Sequence, residues 1–386
     1  MKVEKLQSSD YQEIVDLSMY AFQYKVPEES LKEKYEQFDQ QYISGIKDEE
    51  KLAAKLQILP LKIWFNHEHW EMGGIASVAT YPEYRRKGYV RELIKDSLEV
   101  MRNKDQFISL LHPFSISFYR QFGWEIFDYL KKVNIDKSEL VRMENTDGEI
   151  CRYHKNNFPH DLKEFYEKFA KDFNGMLVRE SNWWKQRVIT ELTIAAYYGT
   201  SNRVEGYILY DIKDKKMKVE EFIVINDEAR KGLWNYICQH DSMITEVELT
   251  LQEKDPLPYL LQNPRAKTEV FPYFMARIVD VEKFLKKLDL NISNDQSIGV
   301  EINDTYASWN NGIYLLTNEN VVKLDRQSRL DQDYVKMDVQ TLIPLFFGVY
   351  TARELNNIGK IKGNIETINL LEEIVNPLNP FFIDFF

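Results

Sequence analysis

Residues 85–91 concentrate three arginines, a lysine and a glycine in a chain that is otherwise acidic. Residues 74–80, just before them, are small and apolar and predict a buried strand. Residues 90–101, just after them, have the apolar spacing of an amphipathic helix. A helix N-terminus offers unpaired N–H groups and a positive dipole end, and Gly88 lets a bulky anion approach the backbone. The stretch therefore predicts a phosphate-binding strand–loop–helix unit; the alternative is a basic helix start that only faces solvent.

The C-terminus is the second stretch whose residue types could do chemistry. Five of the last six residues are apolar and four are aromatic, and Pro377 and Pro380 stiffen the approach to them. Most chain ends are polar and frayed, whereas this composition predicts a buried tail. Such a tail would bring the α-carboxylate of Phe386 into the protein, where the charge needs a partner or a role. The alternative is a tail that only fills a core while its carboxylate reaches water.

Size and composition exclude several classes of protein. The 386 residues suffice for two or three domains, with 44% hydrophobic and 29% charged residues. No run of about 18 apolar residues predicts a membrane span, and the N-terminal residues lack a signal-peptide pattern. The two cysteines are far apart, which predicts a cytoplasmic protein without a disulfide. A net charge of −11 disfavours nucleic acid and suits a cationic substrate. His67 and His69 have no third ligand nearby, so no metal site is predicted.

The first third of the chain predicts one α/β layer. Ser9-x-x-Gln12 is interpreted as the capping box of a first helix, and a second helix is predicted over residues 26–39. The other predicted elements are strands 52–58, 61–65 (after Pro60), 70–80, 107–111 and 125–133, a helix over 88–103, and a short helix that begins at Ser115 and ends at Gly123.

The same order of elements then restarts. Its predicted elements are helix 158–173, a helix from Ser181, strands 192–198, 206–212, 216–225 and 244–251, and helix 227–237. The strand-to-helix loop of this second copy, residues 226–229, is acidic where the first is basic, so it would repel a phosphate. A third segment follows, with a helix from Val281, strands 298–302, 312–317 and 321–324, and helices that begin at Asp338, at the Thr351–Glu354 capping box and at Glu366.

The spacing Arg85-x-x-Gly88-x-Val90 resembles the Arg/Gln-x-x-Gly-x-Gly/Ala signature of GNAT acyltransferases, with valine at the last position. In that family the loop holds the pyrophosphate of coenzyme A. With Phe118-Tyr119-Arg-Gln-Phe-Gly123 and the aromatic C-terminus, the whole chain resembles the Eis (enhanced intracellular survival) branch of the superfamily. The resemblance implies an α/β (α+β) fold of two fused GNAT-like domains and a sterol-carrier-protein-like domain. Their expected bounds are 1–145 for the catalytic domain, 146–283 for a degenerate copy, and 284–386 for the last domain, whose tail reaches the active site.

The resemblance also implies an acetyl-CoA-dependent N-acetyltransferase that forms a hexamer and acetylates small polycations such as aminoglycosides or polyamines. Tyr119 matches the general acid of that family, and the terminal carboxylate of Phe386 matches its general base. The expected acetyl-CoA contacts are the strand backbone at Val78, Ala79 and Thr80, the loop residues Arg86, Lys87, Gly88, Tyr89, Val90 and Arg91, and Phe114 and Ser115 at the far end. Asp384 is a candidate for contact with the acceptor from its charge alone.

The implied roles agree with the chemistry of amide formation. An acceptor amine must lose a proton, and a terminal carboxyl with a pKa of about 3.5 becomes a better base when burial raises its pKa. A free N–H near Val78 could stabilise an oxyanion, and the Tyr119 hydroxyl could protonate the departing thiolate. Tyr119 could also be only a core aromatic residue. Three other functions stay open: acylation of protein or peptide lysines, a lipid carrier built on the C-terminal module, and a non-catalytic acyl-CoA sensor.

Overall fold

The computed structural model describes residues 2–25, 27, 41–324, 334–375 and 377–386. Apart from Pro27, the helix predicted over residues 26–39 lies outside these ranges. The strands are β1 Glu4–Lys5, β2 Tyr42–Asp48, β3 Lys51–Phe65, β4 Glu68–Thr80, β5 Ile108–Leu111, β6 Glu125–Ile126, β7 Tyr129–Asp136, β8 Glu149–Tyr153, β9 Thr193–Tyr198, β10 Val204–Lys213, β11 Lys216–Val224, β12 Glu246–Gln252, β13 Lys267–Pro272, β14 Met275–Ile278, β15 Ser297–Asn303, β16 Gly312–Thr317, β17 Val321–Leu324 and β18 Tyr334–Asp338.

The described helices alternate with these strands as an α/β pattern requires. They are α1 Tyr11–Phe22, α2 Tyr89–Asn103, α3 Ile116–Arg120, α4 His160–Ala170, α5 Ser181–Trp183 with a continuing π turn Trp184–Val188, α6 Asp227–Cys238, α7 Leu257–Leu260, α8 Val281–Lys287, α9 Leu342–Phe346, α10 Ala352–Asn357 and α11 Ile365–Ile374. Within the described ranges, no helix is both long enough and apolar enough to cross a bilayer.

The first sheet has the strand order β1-β2-β3-β4-β5-β14-β6. Neighbours β4 and β5 are parallel, and β3 and β4 are antiparallel. Leu93, Leu98 and Met101 of α2 share a core cluster with Ile58 and Ile75 of the sheet. A separate cluster joins other residues of the sheet to the C-terminal module, so the sheet is covered on both sides.

The second sheet repeats this arrangement in the order β13-β7-β12-β11-β10-β9-β8, with β11 and β12 parallel. The two sheets exchange strands: β7 pairs in the second sheet and β14 pairs in the first. Strand β7, within the expected first domain, therefore belongs to the second sheet, and β14, within the expected second domain, belongs to the first. The strand predicted over residues 125–133 is wrong as one element, because the chain leaves the first sheet after Ile126 and enters the second at Tyr129.

The C-terminal module is a four-stranded sheet, β17-β16-β15-β18, with α8 before it and α9–α11 after its last strand in the chain. Its core is filled by large apolar side chains and is continuous with that of the first sheet. The buried members on its strands include Ile298, Val300, Ile302, Tyr314, Leu316, Val335 and Met337. The predicted capping box of Thr351 and Glu354 is confirmed at the start of α10.

Three local predictions are wrong for identifiable reasons. Pro60 does not end a strand: β3 runs through it, because Pro60 lies beyond Ile58, the last residue that pairs with β2. The first capping box is formed by Gln7 and Asp10 rather than Ser9 and Gln12, and the Gln7 N–H donates to Asp10 at 2.7 Å. Strands β1, β2, β8, β13, β14 and β18 are additional; in β2, polar residues and Gly45 weaken the strand pattern.

The C-terminal tail is buried over most of its length, as predicted, although Phe385 is 59% exposed. Phe381 and Phe382 are 1% and 0% exposed. The tail leaves the C-terminal module and bonds to the segment between α4 and α5: the Phe381 N–H donates to the Asn174 carbonyl at 3.1 Å. The last residue, Phe386, packs against the core cluster that includes the first sheet.

Candidate active site

The parallel strands β4 and β5 separate in the middle of the first sheet. Their pairing runs from Met72 to Gly74 on β4 and ends at Leu110 on β5. The Phe386 ring lies at this point of separation, because a Cβ on Gly74 would come within 2.8 Å of it. The remainder of β4, which includes Val78, Ala79 and Thr80, continues without a β5 partner. An opening between two parallel strands exposes backbone groups to which an extended ligand can bond.

A bulge interrupts β4 in this unpaired part. Lys55 lies opposite Ala79 and Gln57 opposite Ala76, so Ser77 and Val78 together oppose one residue of β3. Ser77 has a positive φ of 52°. The bulge turns strand backbone away from the β3 ladder close to Val78, which is where the sequence analysis expects an available N–H. Thr80 Oγ1 is also buried and, among the residues described, has no hydrogen-bond partner.

Lys55 is a buried residue of this region that the sequence analysis does not identify. Its Nζ donates to the Ser77 carbonyl at 3.2 Å and to the Ser77 Oγ at 2.5 Å. Burial lowers the pKa of Lys55 to about 7. A lysine between apolar residues in a predicted buried strand was the available signal.

The basic loop has the geometry that the sequence predicts. Gly88 is the N-cap of α2 with φ 84°, and Arg86 also has a positive φ of 64°. The four basic side chains of residues 85–91 are exposed at the N-terminal end of α2. Val90 is half-buried against the cluster under α2, so its larger side chain is accommodated. The loop therefore presents positive charge and a helix N-terminus to an anion.

Gly88→Ala is expected to weaken acetyl-CoA binding. A side chain in the left-handed region costs about 1–2 kcal/mol, which corresponds to roughly 5- to 30-fold in Kd when the strain is imposed by the bound loop. Isothermal titration with acetyl-CoA measures this change. Gly359→Ala is the matched control, because Gly359 has a similar φ of 74° and open space around it, but lies in the C-terminal module. Unchanged acetyl-CoA affinity in Gly88→Ala would contradict the assignment of this loop.

Tyr119 lies on α3, next to the loop that follows β5. Ser115 caps α3, and its Oγ accepts a hydrogen bond from the Phe118 N–H at 3.4 Å. Tyr119 is only 3% exposed, and its ring centroid is 5.5 Å from that of Phe114 and 6.4 Å from that of Trp124. Burial raises the pKa of Tyr119, so the hydroxyl stays protonated at neutral pH.

The tail also reaches the loop that follows β5. His112, just after β5, has its ring centroid 5.1 Å from that of Phe385 and 5.5 Å from that of Phe274. Phe386 packs on Phe274 at 5.1 Å. The chain end and Tyr119 therefore both contact the segment 112–115 or its immediate neighbours. Unlike Tyr119 and Phe386, His112 is not identified from the sequence; it is exposed and contacts Phe385 of the tail and Phe274, which precedes β14.

Asp384 is not a free acidic group. It is 4% exposed, its carboxylate accepts hydrogen bonds from Arg179 Nε at 3.0 Å, and its Oδ1 accepts another from Trp183 Nε1 at 2.7 Å. The suggestion that Asp384 contacts an acceptor is therefore corrected: its charge is paired inside the protein. Sequence reasoning missed both partners, which lie about 200 residues earlier in the chain.

A cleft of about 540 Å³ lies beside the tail, on the second sheet. Its lining includes aromatic and apolar side chains, the acidic residues Glu220, Glu221 and Asp384, and the basic residues Lys132 and Arg187. Its lining charges are close to balanced, so charge in this cleft does not by itself select a polycation.

Three protein-family models match the chain in succession. Residues 2–127 match an acetyltransferase (GNAT) domain, residues 175–278 match a second acetyltransferase (GNAT) domain, and residues 281–383 match a sterol carrier protein domain. These matches confirm the predicted fold class. They also agree with the repeated sheets, in which β4–β5 of the first corresponds to β11–β12 of the second.

Similar proteins extend over most or all of the chain. An uncharacterized N-acetyltransferase of Streptomyces griseus is 22% identical in an alignment of 320 positions that covers 74% of each chain. A crystal structure of a probable N-acyltransferase from Enterococcus faecalis is 26% identical and covers 100% of this chain and 99% of its own, with a TM-score of 0.90. Eis1 from Mycobacterium abscessus shares the fold at 18% identity, with a TM-score of 0.81 over 100% of both chains.

The matched domains, the similar N-acetyltransferases and the site geometry agree with one another. GNAT acetyltransferases use acetyl-CoA and act on amine acceptors, either small molecules or proteins. The chain is an N-acetyltransferase built from two GNAT domains and a sterol carrier protein domain.

Proposed function

We propose that the protein transfers the acetyl group of acetyl-CoA to amines of a small polycation, such as an aminoglycoside or polyamine. The observation that supports this mechanism best is that Tyr119 and the chain end both border the loop after β5, through Phe114 and His112. Tyr119 borders the loop after β5 from α3, and Phe386 reaches the opening at Gly74 from the tail. In this proposal Tyr119 is the general acid and the α-carboxylate of Phe386 is the general base.

Only the first GNAT domain is proposed to bind acetyl-CoA. Its loop, with Gly88 and the exposed basic side chains, would hold the pyrophosphate, while Val78, Ala79 and Thr80 would bond to the pantetheine arm. The β4 bulge fits this role, and so does Thr80 Oγ1, which has no partner in the described part of the chain. Phe114, which is 73% exposed, and Ser115 would border the far end. The loop of the second domain differs, because Asn226 accepts the Ala229 N–H at 2.9 Å and two acidic residues follow it.

The proposed chemistry has two proton transfers, one from the acceptor amine and one to the departing sulfur. Acetyl-CoA supplies the acetyl group as a thioester. The Phe386 carboxylate accepts the proton that the acceptor amine loses as its nitrogen bonds to the acetyl carbon. Tyr119 donates its hydroxyl proton to the sulfur that departs when the carbon–sulfur bond breaks, and its raised pKa keeps that proton in place beforehand.

The acceptor is proposed from charge and resemblance. The net charge of −11 favours a cation, and the resemblance to the Eis branch suggests multi-amine small molecules. A protein or peptide lysine is the second candidate, since it offers the same ammonium group. The lipid-carrier hypothesis needs an apolar tunnel in residues 284–386, whereas the described part of that module has a side-chain-filled core.

Turnover of acetyl-CoA, measured as thiol release, tests the proposal. The acceptors are kanamycin, neomycin, spermine and a lysine-containing peptide, and mass spectrometry counts the acetyl groups added to each. We expect the multi-amine compounds to be acetylated with a kcat/KM at least about tenfold above that of the peptide, a difference of about 1.4 kcal/mol. Faster acetylation of the peptide would favour a protein acceptor. Acetyl-CoA binding without acetylation of any amine would favour the hypothesis of a non-catalytic acyl-CoA sensor.

The hexamer is part of the same proposal and has its own test. Light scattering on the purified chain should give six times the 46.0 kDa mass of one chain. A monomeric mass at the concentrations used for turnover would remove the hexamer from the proposal without affecting the chemistry.

A further inference from the structure

Asp384 is the charged side chain nearest the C-terminus, and hydrogen bonds hold it in place. Both of its carboxylate oxygens lie 3.0 Å from Arg179 Nε, and Trp183 donates to it at 2.7 Å. The Tyr273 hydroxyl donates to the Asp384 backbone carbonyl at 3.0 Å. Side chain and backbone of this residue are therefore held at the same time.

Arg179 is in turn held by the second GNAT domain. Its Nη1 and Nη2 donate to Glu221 on β11 at 3.1 and 2.5 Å, and the Tyr207 hydroxyl on β10 donates to Glu221 at 2.6 Å. The guanidinium lies 4.1 Å from the Tyr166 ring centroid and 4.7 Å from that of Trp184. The Arg179 side chain is 0% exposed. Bidentate pairing and stacking use the planar geometry of arginine, which lysine cannot reproduce.

The anchor is close to the terminal carboxylate along the chain. A single residue, Phe385, separates Asp384 from Phe386, so their Cα atoms are at most about 7.6 Å apart. The Phe386 ring is fixed as well, with Phe274 at 5.1 Å and Trp183 at 6.4 Å. Trp183 thus contacts both the anchor and the terminal residue. Few backbone torsions remain free between the held residue and the carboxylate.

We propose that Arg179 is a positioning residue that acts through Asp384 to hold the terminal carboxylate at the active site of the first GNAT domain. The loop of the second GNAT domain is unsuited to phosphate, and this domain instead holds the general base in position. The inference rests on the proposed role of the Phe386 carboxylate. Misplacing a catalytic group by about 1 Å can cost roughly 100-fold in rate. Arg179 and Asp384 can therefore affect the rate without contacting the substrate.

Asp384→Asn in the full chain tests the anchor. Asparagine keeps the size of the side chain and an acceptor for Trp183, but it loses the charge that pairs with Arg179. We expect kcat to fall by roughly 10- to 100-fold while the Kd for acetyl-CoA stays unchanged. The matched control is Asp255→Asn, which breaks the 2.8 Å ion pair with Arg230 on α6 of the same domain. This control should lose stability with little loss of kcat.

A double-mutant comparison separates positioning from a structural effect. When one glycine is appended after Phe386, the carboxylate is already displaced, so Asp384→Asn should cause no further loss of kcat. An equal fractional loss in the extended and unextended chains would overturn the proposal. Trp183→Phe removes the hydrogen bond that Trp183 donates to Asp384 but keeps an aromatic ring, so it should give a smaller loss of kcat. It replaces Asp384→Asn as the test if that variant does not fold.

Release of Phe386 by carboxypeptidase A, followed by mass spectrometry, reports the anchor without any acceptor. The unaltered chain should resist digestion, and Asp384→Asn should lose Phe386 at least about tenfold faster, because a loosened tail populates an open state more often. Equal release from both chains would overturn the proposal. If the unaltered chain acetylates no amine, the proposed function fails, while this measurement still decides whether Arg179 anchors the tail.

Discussion

A chain extended by a single glycine after Phe386 is expected to lose roughly 10²–10⁴-fold in kcat, the usual contribution of a general base. The extra residue moves the terminal carboxylate by up to about 3.8 Å, which exceeds the reach of a hydrogen bond to the acceptor amine. The Phe386 ring can keep its contacts with Phe274 and Gly74, so the acetyl-CoA Kd should not change. Thiol release at saturating acetyl-CoA and acceptor measures the loss.

Phe386→Leu is the matched control for the extension. It keeps the α-carboxylate at the same position in the chain and removes only the ring that lies at the separation of β4 and β5. We expect this variant to lose much less kcat than the extended chain, because Asp384 still holds the backbone next to the carboxylate even though the ring contacts are reduced. If the extended chain turns over at the unaltered rate, the tail only fills the core and the base is another group. His112, which contacts Phe385, would then be the first residue to test.

The parts of the site that depend on local sequence could be predicted. The loop at Gly88 and helix α2 follow from adjacent residues: a small apolar strand, a glycine and an amphipathic repeat. The predicted helix over 88–103 differs from Tyr89–Asn103 by one residue. The cap at Ser115 and the short helix that carries Tyr119 are equally local. In each case the residues that set the secondary structure lie within about four residues of those expected to bind the ligand or take part in the reaction.

The parts that depend on contacts distant in sequence could not be predicted. The exchange of β7 and β14 between the sheets has no local signal, because either strand satisfies the same pattern in either sheet. Arg179 and Asp384 are 205 residues apart, and each alone is an ordinary surface-type charge. Lys55 had a weak signal as a charge in an apolar strand, but its partner Ser77 follows only from the β4 bulge.

Tyr119→Phe is expected to reduce kcat by roughly 10²–10⁴-fold with little change in acetyl-CoA affinity or stability. The ring contacts with Phe114 and Trp124 remain, and only the hydroxyl is lost. Tyr306→Phe is the matched control, since Tyr306 packs on Phe122 at 4.8 Å in the same region and has no proposed role. Thiol-release assays on the unaltered chain, Tyr119→Phe and Tyr306→Phe measure kcat. Titration of each chain with acetyl-CoA measures the affinity.

The pH dependence of kcat gives this assignment a second test. A tyrosine that acts as an acid must be protonated, and the pKa of Tyr119 is raised above the ordinary value of about 10 because the hydroxyl is buried. The proton donor is therefore present throughout the neutral and mildly alkaline range, and Tyr119 should produce no fall in kcat below about pH 10. A basic limb near neutral pH that disappears in Tyr119→Phe would contradict the raised pKa. Equal kcat values in Tyr119→Phe and the unaltered chain would show that sulfur leaves without this donor, and Tyr119 would then be a core aromatic residue.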